Sequence, residues 1–157
     1  MSFWFLHFNL YIDFILWKAA MSLVRVDLSK IIIDEKRQDQ VIVLKEREGS
    51  RKFPIMIGSM EASSIKMRFA NLKMPRPMTH DLILTILKEL DAEPEKLIID
   101  RIVDHTFYAK LIIRNADGDL KDVDLRPSDG VAIAVRAEIP IFVDEEVLKT
   151  TELPKAL

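Results

Sequence analysis

The chain contains no cysteine and only four glycines in 157 residues. The first absence removes disulfides, cysteine-ligated zinc and a thiol nucleophile, and it fits a reducing cytoplasm. The second argues against a glycine-rich loop around a phosphate, and no G-x-G-x-x-G, P-loop, H-E-x-x-H or G-x-S-x-G motif occurs. Neither charge sign is in excess: the formal net charge is −2 and the pI about 5.9. Bulk electrostatics therefore give no pull toward nucleic acid or anionic lipid, and a polyanionic partner must meet a local basic patch or a metal.

What remains is the composition of one soluble globular domain, 49% hydrophobic and 31% charged. The opening "MSFWFLHFNLYIDFILW" stands apart, because it holds both tryptophans. It is interrupted by His7, Asn9 and Asp13 and is shorter than the roughly 20 residues that span a bilayer. It also lacks the basic start of a secretory signal, Lys18 being the first lysine. A weak anchor, a packed helix and a start assigned too early are the three readings. The last is preferred, since "MSLVRVDLSK" from Met21 reads as a natural beginning. The expected organisation is an extension over 1–20, a domain over 21–150 and a tail over 151–157.

Alternation in "LVRVDL" predicts a half-buried strand. "IIIDEKRQDQVIVLKERE" predicts a hairpin, and "FPIMIG" a third strand. Ser59 is placed to cap a helix running to about Leu72, with Ala62, Ile65, Phe69 and Leu72 on one face. The prolines of "KMPRPM" break it. Thr79 is placed to cap a second helix whose face is Ile83, Ile86, Leu87 and Leu90. "KLIIDRIV", "FYAKLIIR" and "DLKDVDL" form a meander, followed by a helix from Pro127 or Ser128 to about Ala137 and a strand at "PIFV". The plan βββαα–βββαβ, with helices grouped between and after two antiparallel three-stranded runs, is α+β in one compact domain.

Polar residues gather at the ends of these apolar elements. Arg76, His80 and Asp81 lie at a helix start, which favours anions; the plainer reading is that Asp81 complements the helix dipole and His80 sits at the surface. Asp104 and His105 form a corner between strands, where an aspartate usually makes the turn. Strand period places Asp122 and Asp124 on one face, suited to a hard cation or to the wet side of an edge strand. Arg126, Ser128 and Asp129 crowd the entrance of an apolar helix. Lys66, Arg68, Lys73 and Arg76 form the one locally basic stretch, a solvated helix face or a place to dock phosphates.

"FPIMIGSMEA", "MPRPMTHDL", "DHTFYAKL" and "LRPSDGVAIAV" occur here in the order found in the bifunctional nuclease domain family, and the chain resembles that family from about Val24 to Val147. The resemblance implies a compact, self-associating α+β domain, a dimer being favoured, that cleaves DNA and RNA. By position, the family's polar signature falls on Glu61, Arg76, His80, Asp81, Asp104, Tyr108, Asp124, Arg126, Ser128 and Asp129. His105 departs from it, and Gly130 replaces a usual alanine, which is expected to loosen the helix start.

On this basis His80, Asp81, Asp104, Asp124, Arg126 and Asp129 are the expected catalytic residues. Lys66, Arg68, Lys73, Arg76, Tyr108 and Ser128 are the expected substrate contacts. Asp104, Asp124, Asp129 and Glu61 are the expected ligands of Mg²⁺ or Mn²⁺, which would polarise the phosphate and activate a water. His80 would be general acid or base. Two rivals stand beside the nuclease: an oligomeric binding module whose Arg–Asp pairs are structural, and a domain that binds a small anion. Membrane association is not expected.

Overall fold

The computed structural model describes residues 22–34, 36–72 and 74–151. The expected extension over 1–20 and the tail beyond Thr151 lie outside them. Among the described residues, seven strands and four helices follow in the order β1 (Leu23–Ile32), β2 (Asp39–Glu46), β3 (Lys52–Gly58), α1 (Ser59–Phe69), α2 (Thr79–Glu89), β4 (Glu93–Val103), β5 (Thr106–Arg114), β6 (Leu120–Leu125), α3 (Pro127–Ala137), β7 (Ile141–Asp144) and α4 (Glu145–Thr151). The α+β plan stands.

The strands make a single sheet in the order β3-β2-β1-β7-β4-β5-β6. Every pairing is antiparallel except that of β7 with β4. The two meanders therefore meet only through β7, which pairs with β1 on one side and β4 on the other. The first predicted strand runs on without a break into Ile31 and Ile32, because a register shift between Leu28 and Lys30 absorbs Ser29 as a bulge.

Period-two burial assigns the faces. Val26, Ile42, Leu44, Phe53, Ile55, Leu97, Ile99, Ala109, Ile141 and Val143 point inward to one core, with Ala62 and Ile65 of α1 and Val131, Ala132 and Ala134 of α3. Val147 and Leu148 of α4 join it. The sheet is strongly curled: Phe53 of β3 and Phe107 of β5, far apart in strand order, have ring centroids 6.3 Å apart. Core contacts thus run across the concavity as well as between neighbours, and this curl brings the start of α3 near the free edge of β3.

The helix starts and faces differ from expectation. Gly58 and Met78 are the N-cap residues, and Ser59 and Thr79 are already helical, with no side-chain cap from either cap residue. The Met78 N–H is taken instead by Asp81 Oδ2 at 2.9 Å, the reciprocal half of a capping box. α1 ends at Phe69, and Phe69 and Leu72 are exposed. α2 turns Ile86 and Leu90 outward, and its one buried side chain is His80. His80 shares its inward face with the half-buried Ile83, Leu84 and Leu87, so polar contacts described below and a partial apolar stripe together set the rotation of α2.

Candidate active site

The site begins where β6 becomes α3. Arg126 caps the helix in extended conformation (φ −66°, ψ 140°) and Pro127, with its fixed φ, opens it. Asp129 falls in the first turn, where a carboxylate complements the free N–H groups. A Cβ on Gly130 would run into Leu97 Cδ1 and stand 3.1 Å from Leu125 Cδ1. The glycine lets α3 sit directly on β4 and β6.

From here a chain of polar contacts crosses between α1, α2 and α3. Arg126 Nε donates to Asp129 Oδ2 at 2.7 Å, and its Nη2 donates to Asp129 Oδ1 at 3.1 Å and to Glu61 Oε1 at 2.8 Å. Asp129 Oδ1 also faces His80 Nε2 at 3.2 Å. The other ring nitrogen, Nδ1, lies 3.1 Å from Ser64 Oγ. Arg136 Nη2 donates to Ser64 Oγ at 2.8 Å, and its Nε donates to Asp81 Oδ1 at 2.8 Å. The relay thus runs Glu61–Arg126–Asp129–His80–Ser64–Arg136–Asp81. It is deep at one end, where the Arg136 side chain is 6% exposed, and open at the other, where that of Arg126 is 67% exposed.

The relay sets the charge states at both ends. Burial opposes ionisation of Asp129, but hydrogen bonds from Arg126 and His80 outweigh it and hold the carboxyl below its ordinary value. Asp81 follows the same pattern, its burial outweighed by the Met78 N–H and the Arg136 guanidinium. Arg126 is raised, chiefly by its bonds to Asp129.

His80 is 8% exposed, so the reading that leaves it on the surface is incorrect, and both of its ring nitrogens are engaged. The order Ser64–His80–Asp129 superficially matches a nucleophile, base and orienter. Ser64 is 2% exposed and already accepts from Arg136, however, which leaves it no path to a substrate. Ser64 and Arg136 were not singled out from the sequence. The available signal was Arg136 itself, a charge seven residues after Asp129 in an otherwise apolar helix, hence on the same face.

The remaining expected residues are distributed around this relay. Asp104 and His105 have positive φ (47° and 61°) and form the two-residue turn between β4 and β5. Asp124 lies on the edge strand β6 opposite Lys110, and Asp122 Oδ2 is 3.3 Å from Lys110 Nζ, so this is the wet side of an edge strand. Tyr108 lies on the sheet's outer face beneath Arg101, whose guanidinium carbon is 4.4 Å from the ring centroid. Lys66 and Arg68 occupy the last turn of α1, and Arg68 pairs with Glu138 at 2.9 Å. Arg68 and Arg76 line a cavity of about 390 Å³ with Met74 and Met78, at the Asp81 end of the relay. Lys73 lies outside the described residues.

At the Arg126 end, a second cavity of about 530 Å³ lies between β3, the β4–β5 turn and the start of α3, lined by Met56, His105, Phe107, Arg126 and Ser128. Among the described residues no three His, Cys, Asp or Glu side chains converge to hold a metal ion. Glu61 and Asp129 meet through a shared arginine, not around an empty centre. The four carboxylates expected to bind Mg²⁺ or Mn²⁺ do not fit that ion in this arrangement. Among the described residues no helix is long and apolar enough to cross a membrane.

The chain is similar to an uncharacterised protein of Mycobacterium tuberculosis, 40% identical over 118 residues that cover 75% of this chain and 70% of the relative. It is also similar to Bifunctional nuclease 2 of Oryza sativa subsp. japonica, 26% identical over 71% of this chain and 35% of the relative. Bifunctional nuclease 1 of Arabidopsis thaliana is 28% identical over 66% of this chain and 33% of its own length. The chain thus spans about a third of the plant relatives that carry the nuclease name. The family model described as the bifunctional nuclease domain matches residues 42–156, from β2 through the whole relay. The chain belongs to the bifunctional nuclease domain family.

Proposed function

We propose that this protein is a nuclease that hydrolyses phosphodiester bonds of DNA and RNA with little sequence preference. The observation that carries the reading is Arg126: an exposed guanidinium at the lip of the 530 Å³ cavity, held by two carboxylates and not by an inward partner. A phosphodiester competes with Glu61 and Asp129 for its donors. As the guanidinium turns to the phosphate, Asp129 Oδ2 loses its closest hydrogen bond and becomes free to accept a proton. It takes that proton from a water whose oxygen forms the new bond to phosphorus. The departing sugar oxygen leaves with the electron pair of the broken P–O bond and is protonated from solvent. Arg126 meanwhile stabilises the charge that builds on the phosphoryl oxygens. Contacts of this kind read backbone and not base edges, which accounts for activity on both nucleic acids. No step here runs through a metal.

The test is cleavage of labelled single- and double-stranded DNA and RNA by the 157-residue chain, with Mg²⁺, with Mn²⁺ and with EDTA, beside Asp129→Asn and Arg126→Ala. Cleavage that persists in EDTA and is lost in both variants supports the scheme. Cleavage abolished by EDTA replaces it with metal-assisted hydrolysis by carboxylates regrouped around an ion. The dimer expected from the family resemblance belongs to the same proposal, and sedimentation velocity tests it. A second reading, a non-catalytic module clamped by its Arg–Asp pairs, is favoured by one observation, the engagement of both His80 nitrogens. Absence of cleavage on every substrate and metal would select it.

A further inference from the structure

For a neutral His80 ring, the chemistry of the relay favours one direction for its hydrogen bonds. Arg136 has donors and no acceptor, so Ser64 Oγ accepts from Nη2 at 2.8 Å. The serine hydroxyl hydrogen then needs an acceptor, and His80 Nδ1 stands 3.1 Å away. A ring that accepts at Nδ1 carries its hydrogen on Nε2, and Nε2 faces the carboxylate oxygen Asp129 Oδ1 at 3.2 Å, which can only accept when ionised. Each bond in the sequence Arg136→Ser64→His80→Asp129 thus has one donor and one acceptor. Reversing the histidine would aim its Nδ1–H at a serine that already accepts from the arginine. It would also set a bare nitrogen against the Asp129 carboxylate.

We propose that Arg136 and Ser64 are positioning residues that lock His80 in the Nε2–H tautomer, so that His80 orients Asp129 and does not itself exchange protons with substrate. The proposal deepens the nuclease reading, on which its kinetic consequence rests; its structural core does not depend on activity. Arg136 is suited to the task because it is fixed from four directions. Besides Ser64 Oγ and Asp81 it reaches Ser64 O at 3.2 Å and Ala132 O at 2.9 Å. Its guanidinium therefore cannot swing away from the serine without breaking several bonds. Held this way, Asp129 Oδ1 keeps His80 as a partner when Arg126 leaves both carboxylate oxygens for a phosphate, whereas Oδ2 loses the Arg126 Nε bond that holds it.

The test is long-range ¹H–¹⁵N spectroscopy of the full chain labelled in histidine. There are three histidines, and His7→Gln and His105→Gln each delete one set of ring signals, which assigns the third to His80. The expected result at neutral pH is a protonated Nε2 and a bare Nδ1. A protonated Nδ1 in the unmodified protein overturns the proposal, whether or not any nucleic acid is cleaved. Ser64→Ala is expected to admit the other tautomer and to lower kcat about tenfold at unchanged KM, the scale on which supporting-shell substitutions act. Ser64→Thr, which keeps the hydroxyl, is expected to restore both readouts. A Ser64→Ala protein that keeps Nε2–H alone also overturns it. If the tautomer behaves as stated and no cleavage occurs, the nuclease reading fails while the lock stands.

Discussion

Arg126 and Arg136 belong to one relay, yet their replacement by alanine should cost the fold very different amounts. Arg136→Ala removes a side chain that is 6% exposed, with its aliphatic stem and its bonds to Asp81, Ser64 and Ala132. Ser64 Oγ keeps His80 as a partner, so the loss there is less than a fully stranded group would suffer. Asp81 is 41% exposed, and water recovers part of its loss, so that pair is discounted to at most about 1 kcal/mol. The other charge-assisted bonds and the packing of the buried stem contribute roughly 1 kcal/mol each. The sum is at most about 4 kcal/mol, a large share of the roughly 5–15 kcal/mol of a typical domain. Arg126→Ala removes a guanidinium that is 67% exposed and should cost about 1 kcal/mol. Urea unfolding followed by far-ultraviolet circular dichroism measures both; tryptophan fluorescence does not suit, because Trp4 and Trp17 both lie outside the described domain. A loss below about 1 kcal/mol for Arg136→Ala, or equal losses for the two variants, would refute the view that the relay is structural at one end and open for substrate at the other.

Asp81 and Asp129 are held below their unfolded pKa of about 3.9, so their stabilisation is complete above that value and disappears as pH falls through the folded pKa below it. Urea midpoints measured between about pH 5 and pH 2 should fall less steeply in Asp129→Asn than in the unmodified chain. Gly130→Ala should lower stability by about 1 kcal/mol, because the helix-propensity gain is smaller than the cost of pushing Leu97 out of a full core; a stabilised variant in the same assay would contradict the close approach of α3 to the sheet. Glu138 closes α3 in the left-handed region (φ 57°), and its ion pair with Arg68 is exposed, so Glu138→Gly should gain roughly 0.5–1 kcal/mol, read as a rise in Tm.

The strands were legible in the sequence because their alternation survives in the burial of β3 and β7. The helix α2 was legible as a helix but not in its rotation. Ile83 and Leu87 are half-buried as the period suggests, but Ile86 and Leu90 are exposed, and the bonds of His80 and Asp81 to Ser64, Asp129 and Arg136 fix the helix with His80 inward. The opening of α3 was legible as a crowd of charges. That Arg126 reaches Glu61, 65 positions earlier, depends on the packing of α1 against α3, and no local spacing encodes it. Ser64 and Arg136 escaped notice for a related reason, since a lone serine and a lone arginine gain meaning only once three helices meet. Family resemblance supplied His80, Arg126 and Asp129 as positions, and the structure supplied the order in which they touch.

The short strand β7 has a consequence for the making of this protein. Leu23 at the beginning of the described chain pairs with Asp144 near its end, and Leu97 pairs with Ile141 on the other side of the same four-residue strand. A growing chain can therefore form β1–β3 and β4–β6 as two separate ribbons long before the strand that unites them has been synthesised. During that interval the edges of β1 and β4 that will become the middle of the sheet are bare, and both carry apolar residues such as Val26, Leu97 and Ile99. The newborn protein should be most vulnerable to mispairing with its neighbours in that window, and release of the final strand should close it. Synthesis stopped just before Ile141 should then leave a polypeptide captured by chaperones, while one stopped after α4 should fold.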